Sequence, residues 1–306
     1  MVVALVRWDL SNPNVRYLFR VDVDHTFFLL SEEGVKVLTT PLNEEFCRER
    51  FSEVEVFRSL KELRDILKKE GVDRMDMAYM PASLYRRLHL RLKDVSEEFL
   101  RLREVKSKKE IAILKRAKRV SLRLILDAFK DEDKREIDVA KGLKQRSLKS
   151  GEGWAFEPVV ANLRNARFPH YTPSRAKVGD EFLIDFGVRV KGYNADLTRC
   201  RTDRKEYRTL REVTLEIADE MWAGRSIKDF VGKVEELLRR RLGRLPPHSI
   251  GHGIGLEVHE YPILSKRVKG ALKEGSIICI EPAIYGKIGM RYEDMFVVGR
   301  KGARPL

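Results

Sequence analysis

The sequence predicts an α+β protein in which a small N-terminal α/β module precedes a larger domain that carries the chemistry. Strand-like segments of the larger domain, at about 181–190 and 193–200, are separated by a loop of hairpin length. Amphipathic helices follow as a pair, at about 206–222 and 226–242. Strands joined by short loops, together with helices grouped in pairs, are typical of α+β folds.

The N-terminal module covers residues 1–104 in this prediction. Two strand-like segments, 26–30 and 35–39, flank a turn and are predicted to form a hairpin. Residues 60–69 are predicted as an amphipathic helix that ends near a glycine, and a further helix begins at Pro81.

The second domain covers residues 105–306. It opens with Ser107 and Glu110, which match a capping box at the start of a long helix that ends near Phe129. A second helix is predicted at 135–148. The remaining strand-like segments lie at 155–161, 276–284 and 290–298.

The composition indicates a globular protein of a reducing compartment. The chain has 306 residues, of which 43% are hydrophobic, and this is enough for a large core. The three cysteines are far apart and form no Cys-x-x-Cys motif, so neither a disulfide framework nor a zinc finger is expected. No segment has the length and apolarity of a membrane span, and the first residues lack a signal-peptide pattern. We therefore expect a cytoplasmic protein without a membrane partner.

Charged residues make up 35% of the chain, and the net charge is +14. A high content of both signs is typical of heat-adapted proteins with surface ion-pair networks. The positive surplus also suits a polyanion partner, but it is spread over many amphipathic segments, and aromatic residues do not interleave with it. A solvated surface explains this pattern better, and nucleic acid is not expected as a partner.

Five residues of the second domain have side chains that bind divalent metals, and each lies in its own short motif. They are Asp185, Asp196, His252, Glu281 and Glu293. Apolar β-forming residues adjoin most of the carboxylates, and a charge next to a buried strand is costly unless it is paired or bound to metal. One such carboxylate alone is best explained by an ion pair. Four carboxylates and one imidazole together predict a hydrolytic centre with two adjacent divalent cations.

Asp185 and Asp196 are predicted to lie side by side. Asp185 ends the apolar run 182–184, and Asp196 follows 11 residues later, after a turn that contains Gly192. A hairpin of this kind brings the two aspartates together, where their oxygens can hold and bridge paired cations. Exposed carboxylates on the hairpin are the alternative, and the apolar neighbours argue against it.

The histidines form a second group of candidates. Four of the six lie near these motifs: His170, His248, His252 and His259. The spacing of His248 and His252 imitates a zinc-protease helix, but the required glutamate is absent, and two prolines and three glycines prevent a stable helix. The glycines also imitate a dinucleotide-binding loop, although no helix follows them. We expect them to let the backbone pass close to a ligand.

Together these motifs resemble the pita-bread metallopeptidases, the creatinase/aminopeptidase-like family that includes methionine aminopeptidase, aminopeptidase P and prolidase. The resemblance covers about 105–298 and extends more weakly into the N-terminal module. The sequence is most similar to Xaa-Pro peptidases, because a glutamate follows His259, Glu-Pro-Ala-Ile-Tyr stands at 281–285 and Arg-Tyr-Glu-Asp at 291–294. The resemblance implies a pita-bread catalytic domain behind a small creatinase-like N-terminal domain.

The resemblance also implies a role for each metal-ligand candidate. Asp185 chelates the first metal, Asp196 and Glu293 bridge both metals, and His252 and Glu281 complete the second. The implied cofactors are two divalent ions per subunit, drawn from Mn, Co, Fe and Zn. A metal-bridging hydroxide is expected to attack the scissile carbonyl.

The remaining candidates receive roles from the same resemblance. Glu281 is also the proton shuttle, and His170 and His259 steady the substrate and the tetrahedral intermediate. His248 lines the pocket near the proline. Arg291 orders a bridging carboxylate or a substrate end, and a surface strand arginine is the alternative.

The sequence departs from the family pattern at positions that concern the substrate. Residues 161–165, Ala-Asn-Leu-Arg-Asn, replace a usual Ser-Gly-x-Asn, which predicts a bulkier and more basic entrance loop. The stretch between His259 and Glu281 is short. Prolidases often place a carboxylate-binding arginine there, and Lys266 and Arg267 are the candidates in this chain.

The leading hypothesis is an Xaa-Pro dipeptidase, with aminopeptidase P as the alternative and methionine aminopeptidase as a weaker one. Short proline-containing peptides are the expected substrates, and the resemblance implies a homodimer. In a different class, the fold also occurs in non-catalytic binding proteins, and the net charge of +14 suits a polyanion partner. Bridging carboxylates repel each other when no cation neutralises them, so a binding protein has no need to retain them.

Overall fold

The structure is a computed structural model that describes residues 2–306. The chain divides into two compact units, Met1–Leu102 and Arg103–Leu306. The boundary expected from the sequence, after residue 104, lies two residues later. Within the described residues no helix is long and apolar enough to cross a membrane.

The first unit is built on a six-stranded mixed sheet. The strands are β1 (Val2–Arg7), β2 (Thr26–Ser31), β3 (Gly34–Thr39), β4 (Glu53–Val56), β5 (Val72–Met75) and β6 (Lys93–Asp94), in the order β4-β3-β2-β1-β5-β6. The predicted hairpin is confirmed, because β2 and β3 pair antiparallel with Ser31 opposite Gly34. Alternate residues of β1 enter two different cores, Ala4 and Val6 on one face and Leu5 on the other.

The helices of the first unit are α1 (Pro13–Phe19), α2 (Glu44–Arg48), α3 (Leu60–Lys69), α4 (Ala82–Leu88) and α5 (Ser96–Leu102). Helix α3 has the predicted bounds, and the Ser59 side chain caps it by accepting from the amide of Glu62. Helix α1 was not predicted. Its seven residues are too few for a periodic pattern, and Asn12 and Pro13 alone mark its start.

The second unit combines four α-helices with short strands. The helices are α6 (Lys108–Ala128), α7 (Glu136–Ser150), α8 (Lys205–Asp219) and α9 (Ile227–Leu242). The strands are β7 (Val159–Asn162), β8 (Phe182–Asp185), β9 (Arg189–Val190), β10 (Tyr193–Asn194), β11 (Thr198–Arg201), β12 (Gly251–Gly253), β13 (Ile277–Ile280), β14 (Ala283–Tyr285), β15 (Gly289–Arg291), β16 (Asp294–Val298) and β17 (Ala303–Pro305). The capping box of Ser107 and Glu110 is present at the start of α6.

Two sheets and two small hairpins organise these strands. One sheet has the order β11-β8-β7 and the other β12-β13-β16-β17, while β9 pairs with β10 and β14 with β15. Strand β13 is buried on both faces. Ile277 and Cys279 enter the core formed with α6 and α7, whereas Ile278 and Ile280 enter the core formed with α8 and α9. Because successive side chains of β13 point to opposite faces, this one strand contributes to the cores of both helix pairs.

The long hairpin predicted at 181–200 is interrupted rather than continuous. The ladder of β8 and β11 places Asp185 opposite Thr198, and a separate ladder joins β9 to β10. Between these two ladders the backbones of Gly187 and Ala195 lie so close together that a Cβ on Gly187 would be 1.7 Å from the carbonyl oxygen of Ala195. The prediction of two unbroken strands was wrong, and Asp196 lies in the interruption.

Candidate metal centre

All nine site residues expected from the sequence line one cavity of about 490 Å³ in the second unit. They are Asp185, Asp196, His252, Glu281, Glu293, His170, His248, His259 and Arg291. Strand ends and strand breaks bring most of them there: Asp185 ends β8, His252 lies in β12 and Glu281 follows β13. Apolar side chains complete the wall, namely Phe156, Val159, Pro169 and Val258.

The imidazole of His252 faces two of the carboxylates. Its Nε2 atom lies 3.6 Å from a carboxylate oxygen of Asp196 and 3.6 Å from one of Glu293. Its Nδ1 atom lies 3.2 Å from the carbonyl oxygen of Gly253, which can only accept, so Nδ1 carries the hydrogen. This arrangement leaves Nε2 directed at the carboxylates, as in histidines that bind metal through one ring nitrogen.

Cys279 lies beneath the same group and was not among the candidates. Candidate ligand atoms of Asp196, His252, Cys279 and Glu293 all lie within 4.8 Å of one another. Burial, together with the negative charges of Asp196 and Glu293, raises the pKa of the Cys279 thiol well above its usual range. A protonated thiol is a poor metal ligand. The register β12–β13, which sets His252 opposite Cys279, accounts for its proximity.

Asp185, Asp196 and Glu293 are buried and Glu281 is half-buried, and the four carboxylates repel one another. Burial raises the pKa of Asp185 to about 6, although Arg291 opposes this, and burial with repulsion from Glu293 raises the pKa of Glu281 to about 8. The pKa of Asp196 is raised well above its usual value by burial and by the charges of Glu293 and Asp185. In the absence of added cations, this cluster therefore favours protonated carboxyl groups.

Glu293 is the exception among the four. Burial disfavours its charge, but the hydrogen bond from His252 and the attraction of Arg291 outweigh burial and lower its pKa. The partnership is mutual: burial opposes charge on His252, and Glu293 more than compensates, so the pKa of His252 is raised. The two residues therefore form the ionised pair of the cluster.

The donor set fits divalent metal ions. Within residues 2–306, Oδ1 of Asp185 and Oδ1 of Asp196 are buried and accept no hydrogen bond. An unsatisfied buried polar atom costs about 1–3 kcal/mol, and buried charges are normally paired or bound to metal. Oxygen ligands with one imidazole suit Mn, Fe, Co or Zn.

Arg291 organises two of the carboxylates. Its guanidinium donates to Asp185, and its Nε atom donates to Oγ1 of Thr198 at 2.8 Å. Thr198 in turn donates to Glu293 at 2.8 Å. Arg291 is 5% exposed, so the alternative of a surface arginine is excluded. Thr198 was missed as a site residue because a lone threonine in a strand carries no distinguishing pattern.

The histidines surround the carboxylates on the cavity side. His248 places Nε2 2.9 Å from the hydroxyl of Tyr285 and Nδ1 3.4 Å from a carboxylate oxygen of Glu281. The rings of His252 and His259 lie 4.2 Å apart at 67°. Burial lowers the pKa values of His248 and His259, which keeps both rings neutral near pH 7. Tyr285, the last residue of the Glu-Pro-x-x-Tyr motif, also accepts from Arg291 at 3.3 Å.

A buried ion-pair group supports the strand that follows Glu293. Asp294 accepts from Arg199 at 2.6 Å and lies 2.5 Å from the ammonium of Lys118, and Arg199 also donates to the backbone carbonyl of Glu293. Lys118 comes from the middle of α6. Its pairing could not be predicted, because the two partners are far apart in the sequence.

Comparison with known proteins assigns the family. Residues 112–300 match the model of metallopeptidase family M24. An uncharacterized peptidase of Methanocaldococcus jannaschii is 29% identical over 97% of this chain and 89% of its own length. An Xaa-Pro dipeptidase of Pyrococcus horikoshii is 28% identical over 97% of this chain and 90% of its own length.

Solved structures agree with this assignment. An X-Pro aminopeptidase from Thermotoga maritima superposes with a TM-score of 0.84 at 26% identity and covers 99% of this chain and 95% of its own. The prolidase from Pyrococcus horikoshii superposes with a TM-score of 0.86 at 26% identity and covers 99% and 92%. The chain therefore belongs to metallopeptidase family M24, and it is a pita-bread metallopeptidase whose family chemistry requires divalent metal ions.

Proposed function

We propose that this metallopeptidase hydrolyses Xaa-Pro peptide bonds at a centre of two divalent cations and that Xaa-Pro dipeptides are its main substrates. The observation that carries the proposal is that one cavity is lined by all four carboxylates of the candidate ligand set and by four histidines. The Xaa-Pro dipeptidase of Pyrococcus horikoshii, which aligns over nearly the whole chain, supports the choice of substrate.

Asp185, Asp196, His252, Glu281 and Glu293 would hold the cations. The unsatisfied oxygens of the two aspartates and the mutual repulsion of the carboxylates support this assignment. When bound, the two cations supply Lewis-acid activation of the scissile carbonyl and a water that is acidic enough to attack near neutral pH.

The side chains of the chain itself handle protons and orient the substrate. Glu281, which lines the cavity beside the other ligand candidates, is proposed to pass a proton to the leaving nitrogen. His259, neutral and packed against His252, retains an N–H that can donate to a developing oxyanion. His170 faces the same cavity and is proposed to share that role.

The wall of the cavity suits a proline residue. Phe156, Val159, Pro169 and Val258 provide apolar surface for the ring. An Xaa-Pro bond has no N–H on its nitrogen, so its recognition requires no hydrogen-bond acceptor at that point. His248 and the hydroxyl of Tyr285 lie at the polar side of the same wall.

A specific observation favours aminopeptidase P as the second candidate. A further cavity of about 460 Å³ shares Glu157, Val159 and His170 with the metal cavity. Lys141 and Lys144 also line it. A peptide longer than a dipeptide could extend from one cavity into the other, with its carboxylate attracted to the lysines. The carboxylate-binding role suggested for Lys266 or Arg267 remains a prediction, since neither residue lines either cavity.

The experiment compares two peptides with metal-stripped protein reloaded with Mn or Co. One is a dipeptide that ends in proline, and the other is a tripeptide with proline in second place. Metal-dependent release from the dipeptide alone supports the dipeptidase, whereas faster cleavage of the tripeptide moves the assignment to aminopeptidase P. Failure to cleave either, with no stoichiometric metal bound, would contradict the catalytic proposal and favour a binding protein with a polyanion partner.

Two further properties are proposed, one from the resemblance and one from the cysteine content and composition of the sequence. We propose a homodimer, which sedimentation velocity tests directly, and a location in the cytoplasm, which fractionation of the source cells tests. Neither property bears on the chemistry of the metal centre.

A further inference from the structure

Glu136 is a buried carboxylate outside the metal centre with an unusual set of partners. It is the first residue of α7, and none of its surface is exposed. Its two oxygens accept six hydrogen bonds, all from neutral donors. In the described part of the chain it takes part in no ion pair. Burial of a carboxylate without a cation is costly unless its hydrogen bonds are complete, and here they are.

The six donors come from two short segments on either side of His170. Before it, Asn162 donates from its backbone at 3.0 Å and its side chain at 3.1 Å, and Asn165 donates from its side chain at 2.8 Å. After it, the Tyr171 hydroxyl donates at 2.8 Å, and Ser174 donates at 2.7 Å from its hydroxyl and 3.1 Å from its backbone. One carboxylate therefore closes the loop 162–174, with His170 inside it.

Other contacts fix the base of this loop but not its tip. The backbone amide of Glu136 donates to Ala176 at 2.9 Å, and Gly289 donates to the carbonyl of Leu163 at 2.8 Å. By contrast, Phe168 is 51% exposed and His170 is exposed. Among the described residues, the His170 side chain has no hydrogen-bond partner. Its location therefore depends on the path of the loop backbone rather than on contacts of its own ring.

We propose that Glu136 is a positioning residue for the peptidase reaction, because its carboxylate holds the loop 162–174 so that His170 faces the metal cavity. This inference rests on the proposed function, in which His170 steadies the substrate. A role limited to helix capping does not explain the contacts, since the carboxylate of Glu136 accepts from the loop and not from the first amides of α7.

The central test replaces Glu136 by glutamine in the full chain loaded with metal. In glutamine, one of the two oxygens is replaced by an NH2 group that presents hydrogens to donors already pointing at it, so the loop loses half of its contacts to this side chain while side-chain volume is preserved. We expect E136Q to lower kcat for an Xaa-Pro peptide by about 10- to 100-fold, the range that a displacement of about 1 Å can cause. KM and bound metal should change less than about twofold, because the proposed metal ligands do not touch Glu136.

A double-mutant cycle with H170A separates positioning from general damage. If Glu136 acts through His170, adding E136Q to H170A should lower kcat less than twofold further. An equal fall in kcat from E136Q in the presence and absence of His170 would overturn the proposal. Y171F removes a single donor and should give a smaller loss of the same kind, which keeps the test possible if E136Q folds poorly.

A matched control comes from the first unit. Asp76 is also fully buried and accepts from the side chains of Asn12 and Asn14, at 3.3 and 2.7 Å. D76N should lower Tm without lowering kcat. A fall in kcat for D76N as large as that for E136Q would show a general effect of damaged carboxylates and would also overturn the proposal.

The ring NMR signal of His170, assigned with H170A in zinc-loaded protein, provides a readout that does not require activity. We expect a single sharp signal in the original chain and a shifted or broadened one in E136Q. An unchanged signal would contradict the positioning role even if kcat falls. If the original chain cleaves no Xaa-Pro peptide, the proposed function fails, while this signal still reports on the loop.

Discussion

Two sets of buried carboxylates in the second unit differ in how their charge is balanced. Glu260 has two cations, Arg103 at 3.0 Å and Lys106 at 2.7 Å. Asp294 also has two, Arg199 at 2.6 Å and Lys118 at 2.5 Å. Among the described residues, the cations beside the four carboxylates of the candidate metal centre are Arg291 and, when it is protonated, His252, while His248 lies 3.4 Å from Glu281. Glu260 and Asp294 are therefore each matched by two cations and Glu136 by six neutral hydrogen-bond donors, whereas the centre keeps a deficit of positive charge that divalent ions would remove.

The largest expected effect tests the balanced set. E260Q removes the charge that pairs Arg103 with Lys106, and both cations are almost fully buried. We expect a loss of about 3–5 kcal/mol in the free energy of unfolding, because buried Lys106 loses the carboxylate 2.7 Å away and Arg103 retains Glu257 but loses Glu260. Urea denaturation measures it. The exposed pair of Glu274 and Arg300 supplies the control, and E274Q should leave the midpoint unchanged.

The next effect tests the unbalanced set. D196N replaces one carboxylate of the centre by a neutral amide, so we expect kcat/KM to fall at least 100-fold. This loss is larger than the loss expected when a residue that only orients a metal ligand is removed. The metal-free variant should be at least as stable as the metal-free original chain, since a neutral amide at this buried position neither repels the other carboxylates nor has to take up a proton on folding. Peptide kinetics, metal analysis and Tm are the measurements, with the exposed D203N as control. A metal-free D196N that is clearly less stable would contradict the proposed repulsion.

A third variant changes geometry while keeping charge. R291K retains a cation beside Asp185 but cannot also donate from Nε to Thr198, so the link to Glu293 is lost. We expect metal affinity to fall by about 10-fold, as for other residues that orient metal ligands. Competition with a chelator measures this affinity, and R300K on the surface should have no effect. An unchanged metal affinity would show that Arg291 acts through its charge and not through its hydrogen bond to Thr198.

The smallest effect is the response of the metal-free protein to pH. In the folded chain the pKa of Asp185 is raised to about 6 and that of Glu281 to about 8. At pH values between the ordinary pKa of each carboxyl group and its raised pKa, the folded chain therefore binds more protons than the unfolded chain. Stability from these groups is present at low pH and is lost as pH rises through the raised values. We expect the free energy of unfolding to fall by at least about 1 kcal/mol between about pH 5 and pH 8. Saturating metal should remove this slope.

The residues that line the cavity were easier to find from the sequence than the residues that support them. The five ligand candidates were visible because each charge adjoins an apolar strand or a glycine-rich loop. The hairpin that carries Asp185 and Asp196 was expected to be continuous, yet the close approach of Gly187 and Ala195 divides it. Propensity describes single residues, and this interruption depends on which backbones meet.

The supporting charges were missed for a related reason. Lys118 lies in a long amphipathic helix, where one more lysine indicates a solvated face, and Glu136 resembles an ordinary acid at a helix start. Their functions depend on partners distant in sequence: Lys118 contacts Asp294, and Glu136 receives donors from residues 162–174.

The sequence by itself therefore determined the fold class, the start of α6 and the types of side chain available for hydrolysis, because these follow from local patterns of apolar, charged and capping residues. The tertiary structure decided which buried charges are neutralised. Arg103 and Lys106 meet Glu260, while the carboxylates of the centre keep their deficit. The physical reason is that the cost of a buried charge depends on neighbours within a few ångströms in space, and those neighbours come from strands and helices far apart along the chain.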